Sequence, residues 1–543
     1  MASSTFASEK MIAMRNCRLT LILAAALTAV PACDRRMDDP YLADDSPLES
    51  LSHEMIILGD KLEDPYSVEN VTRALASLYP TRAGRTQVDP TDLYVRFLPA
   101  DEDEYNLLTD IGLELMDHPL DYQIVKDGDY YHDPAIADDE ITWQYCVVPL
   151  DFRFPVGIRH EILDRCYIAE HDPATRTGGD GIDWMAVEQE AFRLTGNGDL
   201  LLPKTRANSS PRGRITIVDE DANGGQAFGV AGVRILCNSF VKFSSAYTDR
   251  DGYYEIPKSY SSSVRYRMMF KNEKGFAIGV NLVLVPASMS ALGKGSSAGI
   301  DVEITKGSDR KLFSRCVVNN AVYDYYGRCS ENDLDLASPP SNLRIWLFQN
   351  LSVSSSAMLR QGVVVESSLL NKYLGFYASL IKVFLPDITL GLKGAETYAD
   401  IYSTVVHEMA HASHFTRVGK DYWNKYVGYI LSAFVRTGKT YGDGTGENAG
   451  YCEVGEMWGY YMQNRIYNDR YGGVMPVAGS SYWFRPQILR YLDERGMSPS
   501  DIFRALTPDV RNRNELRDRL LTLYSSTHAS IITDVFNRYP AEL

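Results

Sequence analysis

The chain has 543 residues, 45% hydrophobic and 23% charged, which is long enough for about two to four domains with their own cores. Its formal net charge of −16 excludes nucleic acid as an expected partner, because a surface that binds phosphates needs an excess of basic groups. Of its eight cysteines, Cys17 and Cys33 belong to the amino-terminal leader, and the remainder are too few for a disulfide scaffold.

The amino terminus has the pattern of a secretory signal. Arg15 and Arg18 precede an apolar stretch, residues 19–30, which is too short to span a bilayer. The residues Val-Pro-Ala-Cys that end at Cys33 resemble the lipobox of bacterial lipoproteins, although proline is unusual at its second position. The resemblance implies a signal peptide over 1–33, an acylated Cys33 and a lipid anchor in the cell envelope, at the outer membrane or cell surface. A general secretory signal with a chance cysteine is the alternative.

Residues 34–206 are predicted to form an α+β region, because a helical pattern at 67–78 is followed by strand-like runs at 93–98 and 143–150. Its histidines are scattered and none forms a pair at helical spacing, so no site is predicted there. The block around the Pro-Thr-Arg-Ala-Gly-Arg segment at 80–85 resembles the amino-terminal part of zinc-binding metallopeptidase lipoproteins of Bacteroides-like bacteria. That resemblance carries no mechanism by itself.

Residues 207–305 are predicted to form a β-sandwich. A polar linker at 204–212 precedes short strand-like runs at 213–219, 230–236 and 246–256, which are separated by turn residues. The dipeptide Asp251-Gly252 is typical of a hairpin turn. The order of these strands and turns resembles that of the carboxypeptidase regulatory-like, or transthyretin-like, domain. This resemblance implies a spacer or docking module.

Residues 306–543 are predicted to be mostly helical, with strands at 343–348 and 387–392 ahead of a helix at 399–415. Cys316 and Cys329 flank a tyrosine-rich segment, so a disulfide between them is a possibility that spacing alone does not establish. The whole chain is therefore expected to be a multidomain α+β protein.

The predicted helix carries the motif that says most about function. Residues 407–411 read His-Glu-Met-Ala-His, which puts His407 and His411 one turn apart on one helix face, where both imidazoles can reach one metal ion. Glu408 then lies beside an open coordination position, where a carboxylate can act as general base on a water activated by Zn²⁺. Two histidines that are merely satisfied polar residues of the core are the alternative.

A catalytic zinc ion usually has three protein ligands, so a third must lie downstream. The metzincin pattern HExxHxxGxxH is excluded, because His414 stands at its glycine and Arg417 at its last histidine. The segment from Glu456 to Gly459, Glu-Met-Trp-Gly, resembles the glutamate, aromatic and small-residue pattern of gluzincins, in which the small residue lets two helices pack closely. This resemblance implies Glu456 as the third ligand, while Glu453, one turn earlier, and His414 stay open as alternatives.

The resemblance to gluzincins covers about the last 150 residues of the chain and implies a zinc metallopeptidase that acts on peptides or proteins. The sequence departs from the family at Tyr460, where thermolysin-like members have an acidic residue, and the glycine-rich exopeptidase motif of gluzincin aminopeptidases is absent. An endopeptidase, or an enzyme with carboxypeptidase-like activity, is therefore favoured over an aminopeptidase. The alternatives are a zinc hydrolase that acts on other bonds and a non-catalytic surface lipoprotein that binds glycan or protein on a zincin scaffold.

A hydrolase of this type also needs a donor for the oxyanion that develops on the attacked carbonyl, and tyrosine hydroxyls commonly fill that role. Tyr461 is the preferred candidate among the four tyrosines that follow the expected third ligand, Tyr460, Tyr461, Tyr467 and Tyr471. Cys452 lies near the expected ligands but is interpreted as a packing residue, since no second cysteine is nearby.

Overall fold

The structure is a computed structural model, and it combines helices with several β-sheets. It describes residues 55–81, 86–137, 140–176, 181–202, 209–279, 287–330, 334–349, 354–364, 385–472 and 482–539. The expected signal peptide, residues 1–33, and the expected acylation site, Cys33, lie outside these ranges. Among the helices in these ranges, none is long and apolar enough to cross a bilayer.

The amino-terminal region alternates strands with short helices. Its elements are β1 (Ile57–Lys61), α1 (Val68–Leu78), β2 (Asp92–Leu98), α2 (Glu102–Asp110), β3 (Tyr122–Lys126), β4 (Gln144–Pro149), β5 (Arg159–Cys166), α3 (Pro173–Arg176) and α4 (Trp184–Leu194). Strand β2 lies between β4 and β5 in an antiparallel sheet, and β1 pairs with β3. The helix at 67–78 and the strands at 93–98 and 143–150 are therefore confirmed, and the Ser67 hydroxyl caps α1 by accepting from the Asn70 amide.

In the region that follows, residues 209–279 and 287–305, the elements of regular structure that are described are strands, apart from one turn of 3₁₀-helix. Its strands are β6 (Arg212–Ile217), β7 (Phe228–Gly229), β8 (Arg234–Ser239), β9 (Lys242–Tyr247), β10 (Tyr253–Glu255), β11 (Val264–Met269), β12 (Ala277–Ile278), β13 (Met289–Gly295) and β14 (Val302–Ile304). Apart from β12, these strands form one sheet in the order β13-β11-β8-β9 and another in the order β10-β6-β14, in which β7 also pairs with β6. Gly252 occupies the predicted turn before β10 with φ of 85°, a conformation that favours glycine.

The first of these sheets is buried on both faces. From one face, Ile235 packs in a core with Ile215 of the other sheet. From the opposite face, Leu236 and Met269 pack in a second core with Trp143 of the amino-terminal region. Because successive residues of a strand point to opposite faces, a run of apolar residues in β8 serves both cores.

The carboxy-terminal region is mostly helical. Its elements are α5 (Arg310–Ser330), β15 (Arg344–Phe348), β16 (Ile388–Gly391), α6 (Tyr398–Val418), α7 (Lys420–Thr437), α8 (Ala449–Tyr471), α9 (Gln487–Glu494), α10 (Pro499–Ala505) and α11 (Arg513–Arg538). Both expected strands are confirmed, and they form a parallel sheet in the order β12-β15-β16. Strand β12 comes from the preceding region, so this sheet joins segments on both sides of the boundary expected near residue 306.

Strand β16 lies at the end of that sheet order, but its outer side is not open along its whole length. Ser355 and Thr389 exchange both backbone hydrogen bonds at 2.8 Å in an antiparallel bridge. The short segment 354–358 therefore lies beside β16, on the side away from β15.

Helix α6 passes through the interior of this region. Its start is set by a capping box, in which the Thr397 hydroxyl accepts from the Asp400 amide at 3.1 Å and the Asp400 side chain accepts from the Thr397 amide. It ends at Gly419, whose φ is 81°. The helix packs against α5, α7 and α8, so it is buried on nearly all sides. It is one residue longer at its start and three longer at its end than predicted.

Cys316 and Cys329 do not form a disulfide. Both lie on α5 and both are free and buried. The two residues are thirteen positions apart on this helix, which puts their Cα atoms about 20 Å from each other, whereas the Cα atoms of a disulfide lie within about 7 Å. The sequence interval alone did not reveal that both cysteines would belong to one continuous helix.

Candidate metal centre

His407, His411 and Glu456 converge at one point between α6 and α8. The Nε2 atoms of the two histidines are 3.0 Å apart. The Glu456 carboxylate lies across from them, with Oε1 at 3.6 Å from His411 Nε2 and Oε2 at 3.7 Å from His407 Nε2. These are the three residues predicted as ligands, and all three are buried.

The spacing of these atoms fits a small divalent cation. Two ligands at about 2.0–2.1 Å from a tetrahedral zinc ion are about 3.3 Å from each other, and the three observed separations lie close to that value. The donor set of two imidazoles and one carboxylate is one that catalytic zinc uses, and three protein ligands leave a fourth position open. The residues present therefore fit Zn²⁺.

Gly459 explains how the two helices come close enough to form this group. A Cβ atom built on Gly459 of α8 would lie 2.8 Å from His411 Nε2 and 2.9 Å from His407 Nε2. Any larger residue would thus meet both rings at the atoms that would bind the metal. The expectation that a small residue at this position allows close packing is confirmed.

We expect Gly459→Ala to lower zinc affinity by at least about 10-fold, because the new methyl group must displace one or both imidazole rings. The measurement is zinc content after dialysis against a series of buffered zinc concentrations. Gly428→Ala is the matched control, since that glycine lies inside α7 with no heavy atom near its Cβ position. Equal affinity in Gly459→Ala and wild type would contradict the geometry described here.

The candidate ligands are held by neighbours that the sequence patterns described above did not identify. His407 Nδ1 donates to Gln463 Oε1 at 3.2 Å, and the Gln463 amide donates to the Ser403 hydroxyl at 2.9 Å. This contact directs Nε2 of His407 towards the cluster. The Tyr426 hydroxyl donates to Glu456. Gln463 lies two turns after Glu456 on the same face of α8, so helical spacing offered a signal for it; nothing in the sequence marked Tyr426.

The charges of the cluster shift its pKa values in opposite directions. Burial raises the pKa of Glu456, but the neighbouring charge of His411 and the polar contacts of both imidazole rings with the carboxylate outweigh this effect and lower that pKa to about 2. Burial lowers the pKa of His411, and the Glu456 carboxylate outweighs this effect and raises it. Glu456 thus stays ionised at neutral pH, as a metal ligand must.

Glu408 lies on the same helix and is fully buried. Its Oε2 atom accepts a hydrogen bond from the Ser356 hydroxyl at 2.6 Å, while Oε1 has no hydrogen-bond partner among the described residues. Burial raises its pKa more than the nearby histidines lower it. A carboxylate with a raised pKa and one unbonded oxygen is suited to accept a proton.

The two alternative ligands lie elsewhere. Glu453 forms a buried ion pair with Arg513 at the start of α11, accepting from its backbone amide and from Nε, both at 2.8 Å. His414 is fully buried against Tyr422 and Trp423, and neither of its ring nitrogens has a hydrogen-bond partner in the described part of the chain. Neither residue belongs to the cluster.

His414 is expected to make the protein less stable in mild acid. Burial lowers its pKa to about 3, so below pH 6.5 the unfolded chain binds a proton that the folded chain does not. The free energy of unfolding is unaffected by His414 at pH values above the pKa that this histidine has in the unfolded chain. It falls as the pH decreases below that pKa, by about 2 kcal/mol at pH 5. Urea unfolding of wild type and His414→Leu at pH 7.5 and pH 5, both without metal, measures this difference. If wild type and His414→Leu lose the same free energy of unfolding between pH 7.5 and pH 5, His414 is not the cause of the acid sensitivity.

The structure places Tyr461 differently from the expectation that it faces the metal centre. Its hydroxyl donates to Asp493 Oδ2 at 2.9 Å, and its ring packs against Trp458. The reason is helical geometry, because a residue five positions after Glu456 is rotated by about 140° around the axis.

The other three tyrosines also have identifiable neighbours. Tyr460 is the one whose ring packs on His407, with centroids 4.5 Å apart, and its hydroxyl is 3.1 Å from that of Tyr441. Tyr471 donates to Asp219 at 3.0 Å, and Tyr467 packs on Tyr471. Tyr460 is therefore the tyrosine of this set that contacts a residue of the cluster.

No family model, curated protein or solved structure matches this chain. The chemistry of the residues around the cluster therefore carries the functional inference.

Proposed function

We propose that the protein is a zinc-dependent peptidase, most simply an endopeptidase, that works in the cell envelope. The observation that carries the proposal is the convergence of His407, His411 and Glu456, with Glu408 on the same helix turn as the first histidine. A core with only a structural role would have no need for two histidines and two carboxylates, all buried, in and beside one cluster.

The roles of the side chains follow from their chemistry. His407, His411 and Glu456 would hold the ion, which when bound supplies a polarised water of lowered pKa and a Lewis acid for the carbonyl. Glu408 would take a proton from the attacking water and deliver it to the departing amine. Gln463 and Tyr426 would keep two of the ligands in orientation.

The other regions of the chain would have supporting roles. Residues 306–543 would form a zincin-like catalytic domain, and 207–305 a transthyretin-like β-sandwich that acts as a spacer. The two sheets of the latter region, which share a core, support this reading. Acylation of Cys33 would anchor the protein, and a peptide or protein would be the substrate.

The burial of the cluster favours a second candidate, a zinc site with a structural role in a non-catalytic surface protein. His407, Glu408, His411 and Glu456 are each at most 1% exposed. A structural zinc ion stabilises the folded chain but needs no general base. The two candidates therefore differ in whether removal of zinc abolishes hydrolysis or only lowers stability.

The test uses the full-length chain purified in detergent. We expect about one zinc ion per chain by atomic emission, cleavage of denatured casein that stops after treatment with a chelator, and recovery when zinc is restored. Stoichiometric zinc without cleavage of casein or of a mixed peptide library, combined with unfolding after chelation, would favour the structural site. A wild-type chain that binds no zinc would contradict both candidates.

A further inference from the structure

Ser356 contacts Glu408 although the two residues are far apart in the chain. Its hydroxyl oxygen lies 2.6 Å from Glu408 Oε2 and 3.0 Å from the Glu408 carbonyl oxygen. A serine hydroxyl carries one proton, and the shorter contact, to a group that can be ionised, is the stronger bond. The buried carboxyl is thus held through one of its two oxygens.

Ser356 is itself fixed by its surroundings. Trp423 Nε1 of α7 donates to the Ser356 carbonyl oxygen at 2.8 Å. The preceding residue, Ser355, forms the two backbone hydrogen bonds with Thr389 of β16 that were described above. Both Ser356 and Trp423 are buried, so water does not compete for these bonds. The hydroxyl is therefore presented to Glu408 by a sheet on one side and a helix on the other.

We propose that Ser356 is a positioning residue, which holds Oε2 of Glu408 so that Oε1 is kept available to accept the proton of the attacking water. This inference rests on the proposed function. A glutamate side chain has three rotatable bonds, and a single hydrogen bond to one oxygen removes much of that freedom. Oε1, which is buried and has no partner in the described ranges, is the oxygen left for proton transfer.

Replacement of Ser356 should therefore affect turnover rather than metal binding. We expect Ser356→Ala to lower kcat for casein-derived peptides by about 10- to 100-fold with little change in KM or zinc content. Ser356→Thr keeps the hydroxyl and should recover most of the rate. In a Glu408→Gln background, the same Ser356→Ala change should have no further effect, which a general loss of packing would not produce.

A second measurement does not depend on turnover. Acetohydroxamic acid, a small zinc ligand that needs a nearby hydrogen-bond acceptor, is titrated by calorimetry into the zinc-loaded full-length proteins. We expect a dissociation constant about 10-fold higher for Ser356→Ala than for wild type. Ser355→Ala is the matched control. Ser355 is buried like its neighbour Ser356, but its hydroxyl does not donate a hydrogen bond to Glu408. If Ser356→Ala misfolds, Ser356→Cys takes its place in these experiments, because cysteine has a similar shape to serine but its thiol is only a weak hydrogen-bond donor.

The outcomes separate this inference from the proposed function. Suppose that the wild-type protein is active. The role of Ser356 alone is then overturned if Ser356→Ala has a kcat and a hydroxamate affinity within about twofold of wild type, or if its kcat is higher. A rise would identify the contact as inhibitory. A wild-type chain without zinc or without hydrolysis would overturn the proposed function, and the inference with it.

Discussion

Glu408→Gln is expected to lower kcat by about 10²- to 10⁴-fold while the protein still binds about one zinc ion. The substitution keeps the size of the side chain and its contact with Ser356, but the amide cannot take a proton from water at neutral pH. Zinc content by atomic emission and casein hydrolysis by mass spectrometry of the products measure the two quantities on one preparation.

Glu396→Gln serves as the control for this experiment. Glu396 is exposed and lies just before α6, so the same chemical change is made near the same helix without altering the interior. If Glu408→Gln retains more than about a third of the wild-type rate, Glu408 is not the general base, and the proposed mechanism fails even if zinc is bound.

Glu456→Gln is expected to lower zinc affinity by more than about 100-fold, because it replaces an anionic ligand with a neutral amide. The pKa of Glu456 is about 2, so the wild-type carboxylate is already ionised near neutral pH and does not have to lose a proton when it binds a metal ion. Competition with a chromophoric chelator measures the affinity. Activity should fall in parallel when zinc is limiting.

Glu453→Gln is the matched comparison, since it lies one turn earlier on the same helix. It breaks the buried pair with Arg513, so we expect a loss of stability on the order of 3 kcal/mol but no loss of zinc at saturating metal. The opposite pattern, with zinc lost only in Glu453→Gln, would make Glu453 the third ligand and would require α8 to be rotated from its present orientation.

Much of the candidate metal centre could be predicted from local spacing. His407 and His411 share a face because an α-helix repeats every 3.6 residues. Gln463, seven residues after Glu456, lies on the same face of α8 for the same reason. The role of Gly459 in close helix packing was instead implied by the resemblance of residues 456–459 to the gluzincin pattern. Tyr461 was wrongly expected at the centre, although its position on α8 turns it away by the same periodicity.

Some elements could not be predicted because they depend on contacts between distant segments. Ser356 reaches Glu408 across 52 residues, and Tyr426 reaches Glu456 from a different helix. The pairing of β12 with β15 joins residues 207–305 to residues 306–543, which the sequence patterns had predicted to be separate domains. Sequence patterns report the period of one element, and they contain no information on which neighbour its faces will meet.

The sequence by itself determined a mixed α and β architecture, the helix that carries the two histidines, and the pairing of those histidines with Glu408. Only the tertiary structure placed Glu456, and not Glu453, beside the two histidines and brought Ser356 into contact with Glu408. The physical reason is that helix periodicity is local, whereas the choice between two glutamates one turn apart depends on how α8 is rotated against α6. That rotation is set by packing, in which Gly459 lies against the imidazoles and Glu453 pairs with Arg513.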